Sequence, residues 1–440
     1  MPETTDEERK TEEQEEVFDK ETHRARNAIL VGIYNKNTSK EQCKEHLDEL
    51  ELLGETFGVH TASRIVASLR TPDPSTFYGK GKVEEIEKTI ATLKCDIVLL
   101  DQDISPSQQR NLEQILKHPV MDRTEVILNV FAQRAHTKEA HLQVALARAQ
   151  YERPRLKRLW THLSRQRGGG VYLKGEGEKQ LEIDKRLIDQ RIEKLKSALE
   201  EVKLYRETQR HSRLKAEIPT FAIIGYTNAG KSTLLNAIAQ ADVYTEDKLF
   251  ATLDTTTRKA TLSNKQEVLI IDTVGFIRKL PHQLVAAFKS TLEESLYADI
   301  LLHVVDAAHP AALEHIDTTM EVLKELGAAD KPMITILNKN DLCAEGMGIT
   351  RLKLKLPRPV QLSALKKSGF DELEQRMIEE LSKNRTTLKL RIPQSQYHLV
   401  STLIRKGNVH YQDYEDNDIV MRVEMPNFML SQVEPYLDKQ

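Results

Sequence analysis

The chain has 440 residues, 30% of them charged, with a formal net charge of −3 and a mean hydropathy of −0.49. No apolar run reaches the ~18 residues that a membrane-spanning helix needs, and the acidic start MPETTDEERKTEEQEE lacks the apolar core of a secretory signal. Cys43, Cys95 and Cys343 stand apart, with neither disulfide nor metal-ligand spacing, so a cytoplasmic protein is expected.

Residues 1–21 carry ten acids and three bases, and the span 1–24 is expected to be a solvated, disordered tail. From 25 to 135 strands and helices alternate. NAILVGIY (Asn27–Tyr34) reads as a buried strand, and a helix follows from Ser39 to about Phe57 with Ser39 as its N-cap. TASRIVASL (Thr61–Leu69) reads as a second strand, then a proline-bearing loop, then a helix from Val83 to Leu93. CDIVLLD (Cys95–Asp101) is a third strand, followed by a helix near Pro106–Leu116. Short links between alternating elements predict a small α/β domain with a mainly parallel sheet. Its FYGKGK turn (Phe77–Lys82) is of a kind that can meet phosphate, although core packing is the default for this region.

Residues 136–215 change to long helices. Leu181, Ile188, Leu195 and Val202 recur every seven residues, with Ile192 and Leu199 at the offset of four. This heptad seam predicts an antiparallel hairpin with the stretch Leu142–Leu163, kinked at Pro154. Between the arms, Arg148 to Lys174 holds eight bases and one acid, Glu152. The bases are Arg148, Arg153, Arg155, Lys157, Arg158, Arg165, Arg167 and Lys174, interleaved with Trp160, His162 and Tyr172, and Gly168–Gly170 sit at the tip. A solvated charged helix has fewer rings and a more even charge. Arginines neutralise phosphates and flat rings stack on exposed bases, so RNA contact is the stronger expectation.

From 216 to 384 four motifs follow in order, each at a strand end. TFAIIGYTNAGKST gives Gly225, Tyr226, Thr227, Asn228, Ala229, Gly230, Lys231, Ser232 and Thr233, a phosphate-binding loop between strand and helix. Its backbone N–H groups cradle phosphate, Lys231 bridges the β- and γ-phosphates, and Ser232 binds Mg²⁺. VLIIDTVG ends a second strand in Asp272, Thr273, Val274 and Gly275, where the aspartate faces Mg²⁺ through water and the Gly275 N–H meets the γ-phosphate. MITILNKND ends a third strand in Asn338, Lys339, Asn340 and Asp341. A carboxylate at Asp341 accepts two N–H groups from guanine that adenine does not offer in that arrangement. PVQLSAL then brings Ser363, Ala364 and Leu365, whose backbone can read the guanine carbonyl. The substrate predicted is GTP rather than ATP.

With these motifs in place, the chain resembles the HflX family of ribosome-associated P-loop GTPases. The resemblance rests on GYTNAGKST, LFATLDTTTR (Leu249–Arg258), DTVGFI, NKND and QLSA, on MDRTEVILNVFAQRA, and above all on GGGVYLKGEGEKQLEIDKRLID. In Gly175–Glu182 this chain has Glu176 where the usual form has proline and Lys179 where it has threonine. The resemblance implies nucleotide contact by Phe250, Ala251, Thr252, Leu253 and Asp254, and it places the switch threonine, a ligand of Mg²⁺ and the γ-phosphate, at Thr252. Spacing alone leaves Thr255, Thr256 and Thr257 as rivals. With Lys231 and Gly275, Thr252 completes the expected catalytic set. The resemblance further implies a protein that binds the large ribosomal subunit through the Arg148–Lys174 region and helps to split stalled or idle ribosomes. The alternative is a ribosome-assembly or RNA-binding factor in which GTP is mainly structural. A monomer is expected.

Residues 385–440 read as β-α-β-β-α, a small α+β unit without chemistry of its own. The fold class expected is therefore α/β. It comprises an N-terminal α/β domain with a long helical hairpin, a P-loop GTPase domain with a mainly parallel sheet, and a small C-terminal α+β domain. One residue stands out. Phe276 follows Gly275 where Ras-type switches carry a water-orienting glutamine, so slow intrinsic hydrolysis is predicted. Asn228 resembles the asparagine of potassium-activated GTPases, which makes K⁺ a candidate activator.

Overall fold

The computed structural model describes residues 26–156, 174–216, 218–239, 250, 255–279, 297–343, 347–383, 385–426 and 429–438. The acidic tail, Ala251–Asp254 with Thr252, and Lys157–Leu173 with most of the basic tip lie outside them. The chain forms two compact units, one up to Asn129 and one from Val130.

In the first unit β1 (Arg26–Tyr34), α1 (Lys40–Phe57), β2 (Val59–Ser68), α2 (Lys80–Leu93), β3 (Ile97–Leu100), α3 (Pro106–Leu116) and β4 (Val120–Asp122) alternate; α4 (Arg123–Arg134) follows, and its residues from Val130 on, Phe131 included, belong to the second unit. The sheet order is β2-β1-β3-β4 and every pairing is parallel. Such a sheet is covered on both faces, which explains the unbroken apolar run of Ala28–Ile33. Ser39 caps α1 in a capping box with Gln42, as its position in the sequence predicts, and Ser105 and Gln108 repeat the device on α3. The FYGKGK segment is the start of a helix rather than a free turn. Gly79 is the N-cap of α2, and Tyr78 is buried in the core.

In the second unit α5 (Lys138–Glu152) gives way to a single 3₁₀ turn (Arg153–Arg155) containing Pro154, whose ring cannot continue an α-helix. The returning arm is α6 (Lys174–Ala216). Leu146 and Ala149 of α5 meet Ile188, Ile192, Leu195 and Leu199 of α6, so the seam forms at these four positions; Val202 is not part of this cluster, and the Leu181 side chain lies outside the described residues. Gly175–Glu182 lies inside α6; glutamate and lysine at 176 and 179 both suit a helix.

The nucleotide-site motifs stand on a second sheet. Its strands are β5 (Thr220–Gly225), β6 (Thr256–Thr261), β7 (Glu267–Asp272), β8 (Ile300–Asp306), β9 (Met333–Asn338) and β10 (Val360–Gln361). Among the described residues four helices accompany them: α7 (Lys231–Ala239), α8 (Ala312–Leu326), α9 (Met347–Lys355) and α10 (Phe370–Ser382). The order is β10-β9-β8-β5-β7-β6, parallel except for β6 against β7. Phe221, Ile223, Ile270, Leu302 and Ile336 share one core face of this sheet. The last segment is β11 (Arg385–Pro393), α11 (Tyr397–Lys406), β12 (Asn408–Glu415), β13 (Asp418–Pro426) and α12 (Leu430–Val433), with an antiparallel sheet ordered β11-β13-β12. No described helix is long and apolar enough to cross a membrane.

Candidate nucleotide site

The parallel strands β5, β7 and β9 end on the same edge of the sheet and deliver Gly225, Asp272 and Asn338 there. Ligands of open α/β sheets bind at this edge. Gly225 has φ +145°, and a Cβ on it would run into the Val304 carbonyl oxygen, so only glycine fits. The loop then turns through Asn228 at φ +58° and Gly230 at φ +93°. A Cβ on Gly230 would strike the Asn338 amide.

Lys231 opens α7 with its side chain buried. Its Nζ donates to the Tyr226 carbonyl oxygen at 2.8 Å. Burial pulls its pKa down to about 8, opposed by the charge of Asp272. Ser232 Oγ donates to Asp272 Oδ2 at 2.6 Å, so the two oxygens assigned to the metal side of the site do lie together. Thr233 follows on α7, partly buried.

After β7 the chain passes close beneath the phosphate loop. Thr273 is committed to the scaffold, its hydroxyl donating to the Ile223 carbonyl oxygen at 2.6 Å. Val274 is buried. A Cβ on Gly275 would come 2.8 Å from Lys231 Nζ, 2.8 Å from Thr227 Cγ2 and 2.9 Å from Thr227 Cα. Glycine is thus required by close approach of the loop. The Phe276 N–H donates to the Gly225 carbonyl oxygen at 3.0 Å, and the Thr227 N–H donates to the Phe276 carbonyl oxygen at 2.7 Å. The Phe276 ring is 1% exposed.

On the base side Asn338 joins three segments. Its Nδ2 donates to the Ala229 carbonyl oxygen at 2.8 Å and its Oδ1 accepts the Ala364 N–H at 3.0 Å. Lys339, at φ +58°, pairs with Asp306 at 2.9 Å, which fixes the direction of its side chain. Asn340 begins a 3₁₀ turn that carries Asp341. A side-chain hydrogen bond from Ser363 holds the Asp341 carboxyl below the usual carboxylate range, aided by Lys366 at 3.5 Å. Asp341 is thereby kept as an ionised acceptor. Leu365 is largely exposed.

Phe250 is buried, at φ +53°, with its ring edge-on to Phe131 of α4 at 4.4 Å, so its side chain serves the interior. Of the rivals to Thr252, Thr256 and Thr257 are strand residues of β6. Sequence reasoning missed Asp306, which orients Lys339, and His315, whose ring stacks on Tyr226. Neither carries a local signature. A charged residue at the end of β8 was the nearest signal.

Three family models match the chain in order. They are GTP-binding GTPase N-terminal over residues 44–132, GTP-binding GTPase Middle Region over 134–213, and 50S ribosome-binding GTPase over 220–339. GTPase HflX of Chlamydia pneumoniae is 45% identical over 414 residues, covering 93% of this chain and 88% of that protein. GTPase HflX of Escherichia coli is 43% identical over 401 residues, covering 91% of this chain and 93% of that protein. The structure of SsGBP in complex with GDP has 26% identity and a TM-score of 0.47, covering 81% of this chain and 98% of that one. With 43% and 45% identity to these two GTPase HflX proteins over 91% and 93% of its length, the chain belongs to the HflX family of GTPases and is a GTP hydrolase.

Proposed function

We propose that this GTPase binds the large ribosomal subunit and promotes dissociation of stalled or idle ribosomes, with GTP binding and hydrolysis as the switch. The observation that carries this reading is a combination within one chain. A GTPase domain matching the 50S ribosome-binding model follows a helical hairpin whose tip region, Arg148 to Lys174, has eight bases and one acid. A concentrated positive charge with interleaved rings suits ribosomal RNA. Three of the bases already have partners on the hairpin, among them Arg148, which pairs with Glu152 at 2.9 Å. Arg153 pairs with Asp189 of α6 at 2.5 Å, and Arg155 lies 3.7 Å over the Tyr151 ring. Lys157, Arg158, Arg165 and Arg167 are the stronger candidates for RNA.

Mg²⁺ suits the site, since Ser232 and Asp272 supply adjacent oxygens of the hard type this ion selects. When bound it would neutralise charge on the β- and γ-phosphates. Thr252 is the proposed further ligand. K⁺ near Asn228 is a second proposed activator, and equal hydrolysis rates in KCl and NaCl would reject it.

The test is sedimentation of intact ribosomes with the full-length protein and a non-hydrolysable GTP analogue. A shift from intact ribosomes to free subunits is expected, and an unchanged profile overturns splitting. GTP turnover with purified large subunits separates the alternative. Strong stimulation fits the switch; none fits an assembly factor with GTP as a structural ligand.

A further inference from the structure

The missing glutamine leaves open what orients the attacking water, and the structure points to a residue of the phosphate loop itself. Thr227 is 7% exposed, and its hydroxyl is buried without a hydrogen-bond partner among the described residues. Buried hydroxyls are ordinarily satisfied, and an orphan within a working site calls for a ligand. Its neighbours say which one. A Cβ placed on Gly275 would sit 2.8 Å from both Thr227 Cγ2 and Lys231 Nζ, so the Thr227 methyl, one bond from the carbon that bears the hydroxyl, meets the Lys231 ammonium and the Gly275 backbone at one spot. Lys231 and Gly275 are the two groups that address the γ-phosphate in a GTPase of this kind. Thr227 is fixed beside them, because its own N–H is tied to the Phe276 carbonyl oxygen at 2.7 Å.

Phe276 does not fill the missing role, since its ring is buried in the interior. Two other hydroxyls near the phosphate loop are engaged among the described residues. Ser232 donates to Asp272 and Thr273 donates to the Ile223 carbonyl oxygen.

We propose that the Thr227 hydroxyl positions the attacking water against the γ-phosphate. A threonine hydroxyl has one donor hydrogen and two acceptor lone pairs. It accepts a hydrogen bond from the water and donates its own hydrogen to a γ-phosphoryl oxygen. The water oxygen forms the new bond to the γ-phosphorus while the bond to the β,γ-bridging oxygen breaks. That electron pair leaves on GDP, and the water proton ends on inorganic phosphate. Thr227 gains and loses no proton. Its contribution is orientation, which is most of what phosphoryl transfer asks of a protein.

The inference rests on GTP hydrolysis and not on ribosome splitting, so it is tested without ribosomes. Single-turnover release of phosphate from Mg²⁺–GTP is measured for the full-length protein, Thr227→Val and Thr227→Ser, alongside titration with fluorescent GDP. Valine keeps the shape and removes the hydroxyl; serine keeps the hydroxyl. Thr227→Val should slow hydrolysis about tenfold to a hundredfold, in the range for losing one positioned polar group. Its GDP affinity should stay within about twofold, since GDP lacks the phosphate addressed. Thr227→Ser should hydrolyse close to the wild-type rate. A valine variant as fast as wild type overturns the proposal. So does one whose GDP affinity falls in step with its rate, or a serine variant as slow as valine.

Discussion

The phenol ring of Tyr226 lies flat on the imidazole of His315, with centroids 3.7 Å apart and planes 6° from parallel. The same phenol oxygen accepts the Arg278 N–H at 2.7 Å. One side chain of the phosphate loop thus links the first turn of α8 to the segment just beyond Phe276. Aromatic stacking of this kind contributes about 0.5–1.5 kcal/mol beyond burial. His315→Ala should therefore speed GDP release by about two- to tenfold, by loosening the entry to the loop. His315→Phe keeps a flat ring and should restore slow release. Stopped-flow fluorescence of a GDP analogue reads both. Equal release from all three proteins would show that the stack does not hold the loop.

Phe276 sits where a glutamine would normally assist catalysis, yet its ring is part of the interior and its backbone is zipped to Gly225 and Thr227. Restoring glutamine should not restore a self-sufficient hydrolase. Phe276→Gln would bury an amide without designed partners, at a cost of about 1–3 kcal/mol. Its intrinsic hydrolysis should not rise. Phe276→Leu should leave nucleotide affinity nearly unchanged, because the ring offers no polar contact. Urea unfolding with single-turnover kinetics checks the first variant, and GDP titration the second. Faster hydrolysis by the glutamine variant would mean that the side chain can swing out toward the phosphate.

These two cases show which features a sequence can carry. Gly225, Asp272 and Asn338 each end an apolar strand within a recognisable local motif, so their meeting at one edge of the sheet was legible before any geometry was known. The hairpin seam was legible for the same reason, because Ile188, Ile192, Leu195 and Leu199 repeat at helical spacing. The Tyr226–His315 stack joins residues far apart in the chain and leaves no periodic trace. β4 was missed because its three residues are too few to show alternation. The basic run was legible as charge, but not the partner of each base. Asp189, which takes Arg153, lies on the other arm.

That pair gives a separate prediction about the ribosome-binding reading. Arg153 donates twice to Asp189, through Nε at 2.5 Å and through a terminal nitrogen at 3.1 Å. Its charge is spent on joining the arms. Arg153→Glu should weaken binding to purified large subunits, and adding Asp189→Arg should recover most of the loss by re-forming the pair with reversed polarity. Arg165→Glu with Arg167→Glu should weaken binding without rescue and flatten its salt dependence, since counterion release follows the number of phosphates neutralised. Filter binding across a salt series separates the two. No rescue by the swapped pair would assign Arg153 to the RNA instead.

The last prediction concerns acid stability and a residue outside the nucleotide site. His303 lies in the middle of β8, in register with Ile224 of β5 and Thr335 of β9, and is 1% exposed. Burial pushes its pKa from 6.5 down to about 4. The folded protein therefore keeps this imidazole neutral at a pH where the unfolded chain has already taken up a proton. Between pH 6.5 and about 4 the unfolded state binds more protons at this position, so stability falls as pH falls through that window and is fully present above it. The full shift corresponds to about 3 kcal/mol. His303→Leu removes the titration and keeps an apolar side chain of similar size in the sheet. Between pH 7 and pH 4 the wild type should lose about 3 kcal/mol more than this variant. All other groups titrate alike in both proteins and cancel in the comparison. Urea midpoints at several pH values give the difference directly, and parallel acid slopes would remove His303 as its source.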